Sequence, residues 1–193
     1  MSVTDWMGSA QYRDVPQPAI VITPLPTVEF PAVYAAELGY VWSTLRRLGV
    51  QERDLDDLCH DVFVIVFRNL AVYDARRPIR PWLFGIAFRV ASDYRRSARH
   101  RREVAGTTRE VVCPAPPADE VMLQRERQRL VLRALETLEL DRRAVFVMHD
   151  IDGHAMPDIA VALGVPLNTA YSRLRLARAD FAEAVRRAQG GQR

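Results

Sequence analysis

The sequence contains no lysine, and all 27 of its basic residues are arginine. The count leaves two explanations open: the coding bias of a GC-rich genome, or a need for guanidinium groups, which bind phosphate and carboxylate oxygens in pairs. Cysteine is also scarce, with only Cys59 and Cys113. Because they lack the C-x-x-C spacing of zinc and redox sites, we expect neither such a site nor a structural disulfide.

Long hydrophobic runs are missing as well. The densest apolar stretch, Val62 to Phe67, is far shorter than the roughly 20 residues that a helix needs to cross a bilayer. The first residues lack the basic-then-apolar pattern of a secretory signal. With 49% apolar residues, the chain can still build compact cores. We therefore expect a cytoplasmic protein with no direct membrane insertion.

Charge is segregated along the chain, which the net charge of +3 conceals. Residues 76–109 hold ten arginines against two acidic residues, and residues 166–193 hold six against two. By contrast, residues 31–75 hold four arginines against seven acidic residues, and residues 110–165 hold six against ten. Two basic segments indicate two surfaces that face one polyanion, and the acidic segments are left for a different partner.

Apolar residues recur at steps of three and four along most of the chain, and no segment alternates as a strand does, which predicts helices. The stretch "VAGTTREVVCPAPPAD" has three prolines and no apolar period, which is typical of a tether. The sequence therefore predicts an all-α protein of two small helical domains joined by a flexible linker. Its predicted parts are a flexible N-terminal arm at 1–29, a first domain at 30–103, the linker at 104–119, a second domain at 120–188 and a tail at 189–193.

The most specific motif is "MPDIAVALGVPLNTAYSRLRLARADF", which begins at Met156. A short apolar-faced helix, a turn at Gly164 and a longer helix with Ala170 and Leu174 on its buried side are typical of a helix-turn-helix, whose second helix enters the DNA major groove. A plain helical hairpin with a solvated arginine face is the alternative. The candidate DNA-contacting residues are of types that bond phosphates and base edges: Asn168, Thr169, Tyr171, Ser172, Arg173 and Arg175.

Two blocks of the sequence resemble the extracytoplasmic-function sigma factors, a small two-domain group within the sigma-70 family of bacterial transcription initiation factors. They are "DLDDLCHDVFVIVFRNLAVYDARRPIRPWLFGIAFRVASDYRR" and "ALETLELDRRAVFVMHDIDGHAMPDIAVALGVPLNTAYSRLRLARA". The resemblance implies a protein that binds core RNA polymerase and directs promoter-specific initiation, with an anti-sigma factor as a further partner. It implies no catalytic residue, cofactor or metal, because the polymerase carries out the chemistry.

The resemblance also assigns roles to residues. It implies that the candidate residues of the helix-turn-helix contact the minus-35 duplex. The polymerase-binding residues that it implies are Asp57, Asp61, Val62, Phe63 and Val66. A loop at residues 74–80 and a predicted helix at about residues 81–102 would capture the opened minus-10 strand, because aromatic faces beside arginines bind single strands. That set comprises Arg76, Arg77, Arg80, Arg89, Asp93, Arg95, Arg96 and Arg99, with Trp82 and Phe84 nearby. For Trp82, core packing is the alternative.

The sequence departs from the family pattern in several places, three of which concern candidate DNA-contacting residues. Arg89 stands where asparagine is common, Asn168 where glycine is common, and Tyr171 where lysine is common. These departures leave the base preferences at both promoter elements open.

The segment "MHDIDGH" raises the question of a metal site, since it holds His149, Asp150, Asp152 and His154. A catalytic zinc needs three converging ligands, whereas Gly153 is placed to end the helix between these residues. We interpret the segment as a helix end. A metal-dependent hydrolase and a stand-alone helix-turn-helix repressor or activator are the rival hypotheses, and neither accounts for both basic segments.

Overall fold

The structure, a computed structural model, describes residues 29–105 and 119–190, with side chains described for residues 29–98 and 126–189. Most of the predicted arm, linker and tail therefore lies outside the described residues. The two ends of the predicted linker that are described, residues 104–105 and 119, belong to helices.

All regular structure in the described ranges is helical, which confirms the all-α prediction. The first domain consists of α1 (Phe30–Arg47), α2 (Leu55–Asn69) and α3 (Ile79–Ala105), with 3₁₀ turns at Glu52–Asp54 and Leu70–Val72. The second domain consists of α4 (Asp119–Glu136), α5 (Leu140–Phe146), a π-helical turn at Val147–Ile151, α6 (Met156–Leu163) and α7 (Leu167–Gly190).

Each helix of the first domain buries one stripe of apolar side chains. In α2 the buried residues are Leu55, Cys59, Val62, Phe63 and Val66, which recur at the helical spacing. They pack with the matching stripes of α1 and α3 in a core cluster. Burying one such side chain stabilises the folded domain by roughly 1.5–3 kcal/mol. The three apolar stripes therefore hold the three helices together.

The second domain contains the predicted helix-turn-helix. Gly164 ends α6 in the left-handed conformation, with φ 65° and ψ 36°. The Val165 amide then donates to the Ala160 carbonyl at 3.0 Å, which closes the turn. On α7, Ala170, Leu174 and Ala177 are buried against the rest of the domain. The turn thereby fixes the direction of α7 and leaves its opposite face in solvent.

Replacing Gly164 with alanine is expected to lower the free energy of unfolding by about 1 kcal/mol, because an L-residue pays that much in the left-handed region. No atom lies within 4 Å of the added Cβ, so the effect comes from the backbone alone. Urea denaturation measures it. Asparagine tolerates this conformation, so Gly164→Asn serves as the control and should cost clearly less. Equal losses from both variants would contradict the backbone explanation.

The two domains pack directly against each other. Gly85 of α3 lies so close to α6 that a Cβ added there would sit 2.5 Å from the carbonyl oxygen of Ala162. Across the same seam Arg143 donates to the Leu48 carbonyl at 3.1 Å. The buried core forms one cluster that extends through both domains. The sequence predicted two domains joined by a flexible linker, and the structure places these two domains in direct contact.

Candidate nucleic-acid interface

The exposed face of α7 carries most of the helix-turn-helix candidates. Asn168, Tyr171 and Arg175 are exposed and recur at steps of three and four, so they share one side of the helix. Ser172 is also exposed, and its hydroxyl donates to the Thr169 carbonyl at 2.9 Å. Thr169 itself is half-buried. The face thus presents a phenol, an amide, a hydroxyl and a guanidinium to solvent.

Arg173 and Arg175 differ in their surroundings. The Arg173 guanidinium bonds Asp141 at the start of α5, and only 26% of its side chain is exposed. Arg175 is exposed and has no ion pair with any described residue. Arg173 therefore holds α7 against α5, whereas Arg175 keeps all its donors available for an external acceptor.

A second exposed basic face lies on α3. Trp82, Arg89, Asp93 and Arg96 follow each other at steps of seven, four and three residues, so they lie along one side of the helix. Arg89 is exposed, with its Nε donating to the Gly85 carbonyl at 3.0 Å. Arg96 is 83% exposed and lies 4.0 Å from Asp93, which is 76% exposed. Such a weak, solvated pair leaves Arg96 able to bind a phosphate.

The other predicted members of the α3 set lie elsewhere. Arg95 is half-buried and turned toward the domain seam, where its Nη1 donates to the Leu48 carbonyl at 3.3 Å. Arg80 pairs with Glu37 at 2.9 Å and lies over the Tyr40 ring at 5.0 Å. Phe84 is fully buried. The Arg99 side chain lies outside the described residues.

The loop before α3 is held by short-range contacts. The Arg76 amide donates to the Asp74 carboxylate at 3.1 Å, and the Tyr73 hydroxyl donates to the Arg77 carbonyl. The Tyr73 ring packs on the Trp82 ring with 4.8 Å between centroids. Trp82 is half-buried, so it is a partial core residue that also supports the loop. Arg76 and Arg77 are exposed at its tip.

The five residues of α2 that were predicted to bind core polymerase differ in their exposure. Asp57 and Asp61 are exposed, without an ion pair to any described residue. Val62, Phe63 and Val66, however, are only 0–3% exposed, because they form the buried stripe of the same helix. They can support a docking surface but offer almost no area to a partner.

Exposed aromatic area near the end of α2 comes from residues that sequence reasoning missed. Phe67 is 66% exposed and Tyr34 is 42% exposed. Phe30 contacts Phe67 edge-on, with 5.1 Å between ring centroids, and Tyr34 contacts the buried Phe63 at 4.7 Å. The available signal was an aromatic residue at the border of the apolar stripe, where a polar residue is usual.

The four polar residues of "MHDIDGH" diverge into two groups. Asp150 accepts two bonds from Arg178, at 2.7 and 2.8 Å, and this pairing lowers the pKa of the carboxyl. Asp152 lies on the other side of the turn and accepts from Arg47 at 2.8 Å and from Tyr40 at 3.1 Å. No cluster of three or more metal-ligating side chains occurs among the described residues. The contacts that these residues make join helices and domains.

These features define a class: a two-domain helical DNA-binding protein with a helix-turn-helix at its C-terminal end and a second basic face on its first domain. No helix in the described ranges is both long and apolar enough to cross a membrane. Residues 33–102 match the family described as Sigma-70 region 2, and residues 128–181 match the one described as Sigma-70, region 4.

Comparison with known proteins narrows the class. The chain is 31% identical over 147 residues to the ECF RNA polymerase sigma factor SigL of Mycobacterium tuberculosis, covering 76% of this chain and 82% of the relative. It is 30% identical over 147 residues to the RNA polymerase sigma factor CnrH of Cupriavidus metallidurans, covering 70% and 75%. The chain belongs to the extracytoplasmic-function group of the sigma-70 family.

Solved structures agree in fold. The sigma factor RpoE of Bartonella quintana, in complex with the anti-sigma factor NepR, matches with a TM-score of 0.66 at 20% identity, covering 81% of this chain and 96% of that one. CnrH in complex with the cytosolic domain of CnrY matches with a TM-score of 0.54 at 27% identity, covering 80% and 85%.

Proposed function

We propose that three surfaces of this sigma factor divide promoter recognition among them. The exposed residues Asp57, Asp61 and Phe67 of α2 contribute to the surface that binds core RNA polymerase, since acidic side chains suit a basic partner and Phe67 offers apolar area. The α3 face with Arg89 and Arg96 captures the opened minus-10 strand together with the Arg76–Arg77 loop tip. The α7 face reads the minus-35 duplex through Asn168, Thr169, Tyr171, Ser172 and Arg175, with Arg173 positioning the helix.

The observation that carries this proposal is the exposure of two separate arginine-bearing faces, one on each family domain. Duplex recognition requires a helix that presents donors to a groove. Strand capture requires charge with an aromatic platform nearby, which α3 supplies through Arg89 and the half-buried Trp82. In this proposal, nucleotide addition is left to the polymerase.

Run-off transcription tests the function directly. Purified core polymerase is incubated with genomic fragments with and without the chain. New start sites that depend on the chain are expected, and their absence would refute the proposal. A stand-alone helix-turn-helix regulator would instead bind duplex DNA in the absence of polymerase and initiate nothing.

A protein inhibitor and a cytoplasmic location belong to the same proposal. The relative CnrH has been solved bound to the cytosolic domain of another protein. We expect this chain to be cytoplasmic and to bind an anti-sigma factor there. Such a partner binds the exposed surfaces that polymerase or promoter would otherwise contact.

Arg175→Ala is expected to weaken binding to a minus-35 duplex by about tenfold or more, because one lost arginine contact to a base edge costs about 1–3 kcal/mol. Fluorescence anisotropy at fixed salt measures the affinity. Arg187→Ala is the matched control, since Arg187 lies exposed on the same helix and already pairs with Glu183 at 2.9 Å. Equal losses from both substitutions would indicate general charge attraction in place of recognition.

Asp61→Ala is expected to weaken binding to core polymerase about three- to tenfold while leaving the unfolding midpoint unchanged. The effect is moderate because Asp61 is exposed and acts at the rim of the docking face. Pull-down and titration with labelled core polymerase measure it. Glu126→Ala removes the same charge from an exposed position on α4 and should bind as the original chain does. Undiminished binding by the Asp61 variant would remove this residue from the interface.

A further inference from the structure

A cavity of about 410 Å³ is lined by residues that follow α1 and by residues of α3, α4 and α5. Its volume lies within the range of about 300–1,000 Å³ that is usual for sites of small molecules. Arginine is the most frequent residue type in its lining, with Arg46, Arg95 and Arg143. None of the three surfaces proposed for polymerase and promoter includes these arginines, so the cavity needs an explanation of its own.

Two of the guanidinium groups meet at a single acceptor. Arg143 donates from Nη1 to the Leu48 carbonyl at 3.1 Å, and Arg95 donates from Nη1 to the same oxygen at 3.3 Å. Arg143 has no ion pair with any described residue. Two cations that share one neutral oxygen repel each other, and an anion beside them would turn this repulsion into attraction.

Gly49 provides the space for both groups. A Cβ at this position would lie 2.5 Å from the Nη1 atom of Arg143 and 3.0 Å from the Nη1 atom of Arg95. The residue also has φ +91°, in the region that glycine adopts without strain. Any other residue here would push the two guanidinium groups away, so the sequence keeps them together at the wall of the cavity.

The Arg143 side chain has an unused donor at this wall. It is only 1% exposed, and its Nε has no hydrogen-bond partner among the described residues. Burial, with the nearby Arg95, lowers the pKa of Arg143 to about 10, so the group is still charged at neutral pH. A buried charge without a counterion is unfavourable, and an anion bound in the cavity would offset that cost.

The rim of the cavity has the opposite charge. Glu52 and Glu136 belong to its lining and are exposed, whereas Arg46 and Arg95 are half-buried and Arg143 is buried. Water screens the exposed carboxylates more strongly than the guanidinium groups, which lie at lower local dielectric. The inner wall therefore favours an anionic group, while the rim offers oxygen acceptors to hydroxyl or amino groups.

We propose that this cavity binds a small phosphate ester, with its phosphate on the guanidinium groups of Arg46, Arg95 and Arg143 and its hydroxyl or amino groups at the rim. A phosphate suits three arginines because it carries three free oxygens, and the guanidinium fork matches their spacing. The site is separate from the surfaces proposed for promoter recognition, so it stands or falls independently of that function.

Isothermal titration calorimetry on the full-length chain tests the site. The probes are ribose 5-phosphate and the four ribonucleoside monophosphates, with inorganic phosphate and ribose for comparison. We expect at least one ester to bind in one-to-one ratio with a Kd below about 1 mM, more tightly than inorganic phosphate does, and ribose not to bind. Absence of binding by every ester would overturn the proposal, and so would equal binding of ribose.

Charge-removing substitutions locate the bound phosphate. Arg95→Gln should weaken binding of the ester about tenfold or more, the effect of one lost hydrogen bond from a charged donor. Arg133→Gln removes the same charge from an exposed position on α4, next to the lining residue Leu132, and should bind as the original chain does. Equal affinities of these two variants would refute the assignment.

A second variant covers the case in which Arg95→Gln disturbs the fold. Arg46 packs over the Trp42 ring, with its Cζ 5.7 Å from the ring centroid, and takes no part in the bonds to the Leu48 carbonyl. Arg46→Gln should therefore leave the unfolding midpoint unchanged while weakening ester binding about threefold or more. Unchanged ester binding by this variant would remove Arg46 from the site and overturn the three-arginine arrangement.

Competition with DNA distinguishes a small-molecule site from an extension of a DNA-binding face. A fluorescent derivative of the best-binding ester is titrated with unlabelled ester and with a short DNA duplex. The unlabelled ester should displace it, whereas the duplex should not, because a phosphate within a polymer continues on both sides and does not enter a cavity of this volume. Displacement by the duplex at similar phosphate concentration would overturn the proposal.

Discussion

Replacing Arg143 with alanine is expected to lower the free energy of unfolding by about 3–5 kcal/mol, the largest stability effect we expect from one substitution. Its side chain is 1% exposed. The guanidinium donates to the carbonyls of Glu136 at 2.8 Å, Leu138 at 3.1 Å and Leu48 at 3.1 Å. Truncation would remove these donors from the carbonyls of Glu136 and Leu138 and leave the Leu48 carbonyl with only its longer bond from Arg95. It would also open a void at the point where both domains meet.

Burying the charged guanidinium of Arg143 is itself unfavourable. Burial, with the nearby Arg95, lowers the pKa of Arg143 to about 10, and its Nε has no hydrogen-bond partner among the described residues. Arg143→Met keeps most of the side-chain volume and removes the buried charge. It should therefore lower the free energy of unfolding by less than Arg143→Ala does. The carbonyls of Glu136 and Leu138 still lose the donors that Arg143 supplied, so this variant should remain less stable than the original chain.

Arg142→Ala is the control for this series. Arg142 is the next residue along α5, but its side chain is 34% exposed and pairs with Asp180 at the surface. Its loss should lower the free energy of unfolding by less than about 1 kcal/mol. Guanidinium denaturation followed by circular dichroism compares the variants. If Arg142→Ala and Arg143→Ala unfold at the same denaturant concentration, the bridging role of Arg143 is wrong.

Local pattern was enough to predict most of the fold. The apolar period predicted helices, and one of them, α2, spans Leu55–Asn69 between two 3₁₀ turns. The position of Gly164 predicted the turn before α7, which the structure confirms. These features depend on interactions within a few residues, which a sequence displays directly.

The burial of three predicted docking residues on α2 was also readable from local pattern. Val62 and Val66 lie on the same stripe as Leu55 and Cys59, so periodicity alone predicts that they are buried. The family resemblance placed them on a docking surface. The family resemblance and the apolar period here predict different exposures for the same side chains. The apolar period predicts burial correctly, because burying one face of a helix is what holds the domain together.

Long-range pairings were not predictable. Nothing local distinguishes Arg173 from Arg175, but only the former meets Asp141, which lies 32 positions earlier. Likewise Arg143 contacts Leu48 across 95 positions. A proline-rich linker predicts that two domains are separately folded, yet its composition does not determine whether they touch. The division of the arginines between structure and DNA binding therefore emerges only from the fold.

The double substitution Arg89→Ala with Arg96→Ala is expected to reduce capture of the opened minus-10 strand by about 100-fold. Both side chains are exposed on one side of α3. A hydrogen bond from a charged donor contributes about 1.5–3 kcal/mol, or roughly tenfold or more in affinity, so the loss of two multiplies to this magnitude. Permanganate reactivity of unpaired thymines, on a promoter found by run-off transcription, measures the opened fraction.

The location of the defect distinguishes strand capture from general attraction to DNA. Arg127→Ala with Arg129→Ala removes the same charge from exposed positions on α4 and should leave opening unchanged. The α3 variant should also lose binding of its polymerase complex to a single-stranded minus-10 oligonucleotide, with a salt dependence reduced by about two phosphate contacts. Its affinity for a minus-35 duplex should persist, because that face lies on the other domain. A defect that instead appears equally on duplex and single strand would mean that α3 acts only through its charge.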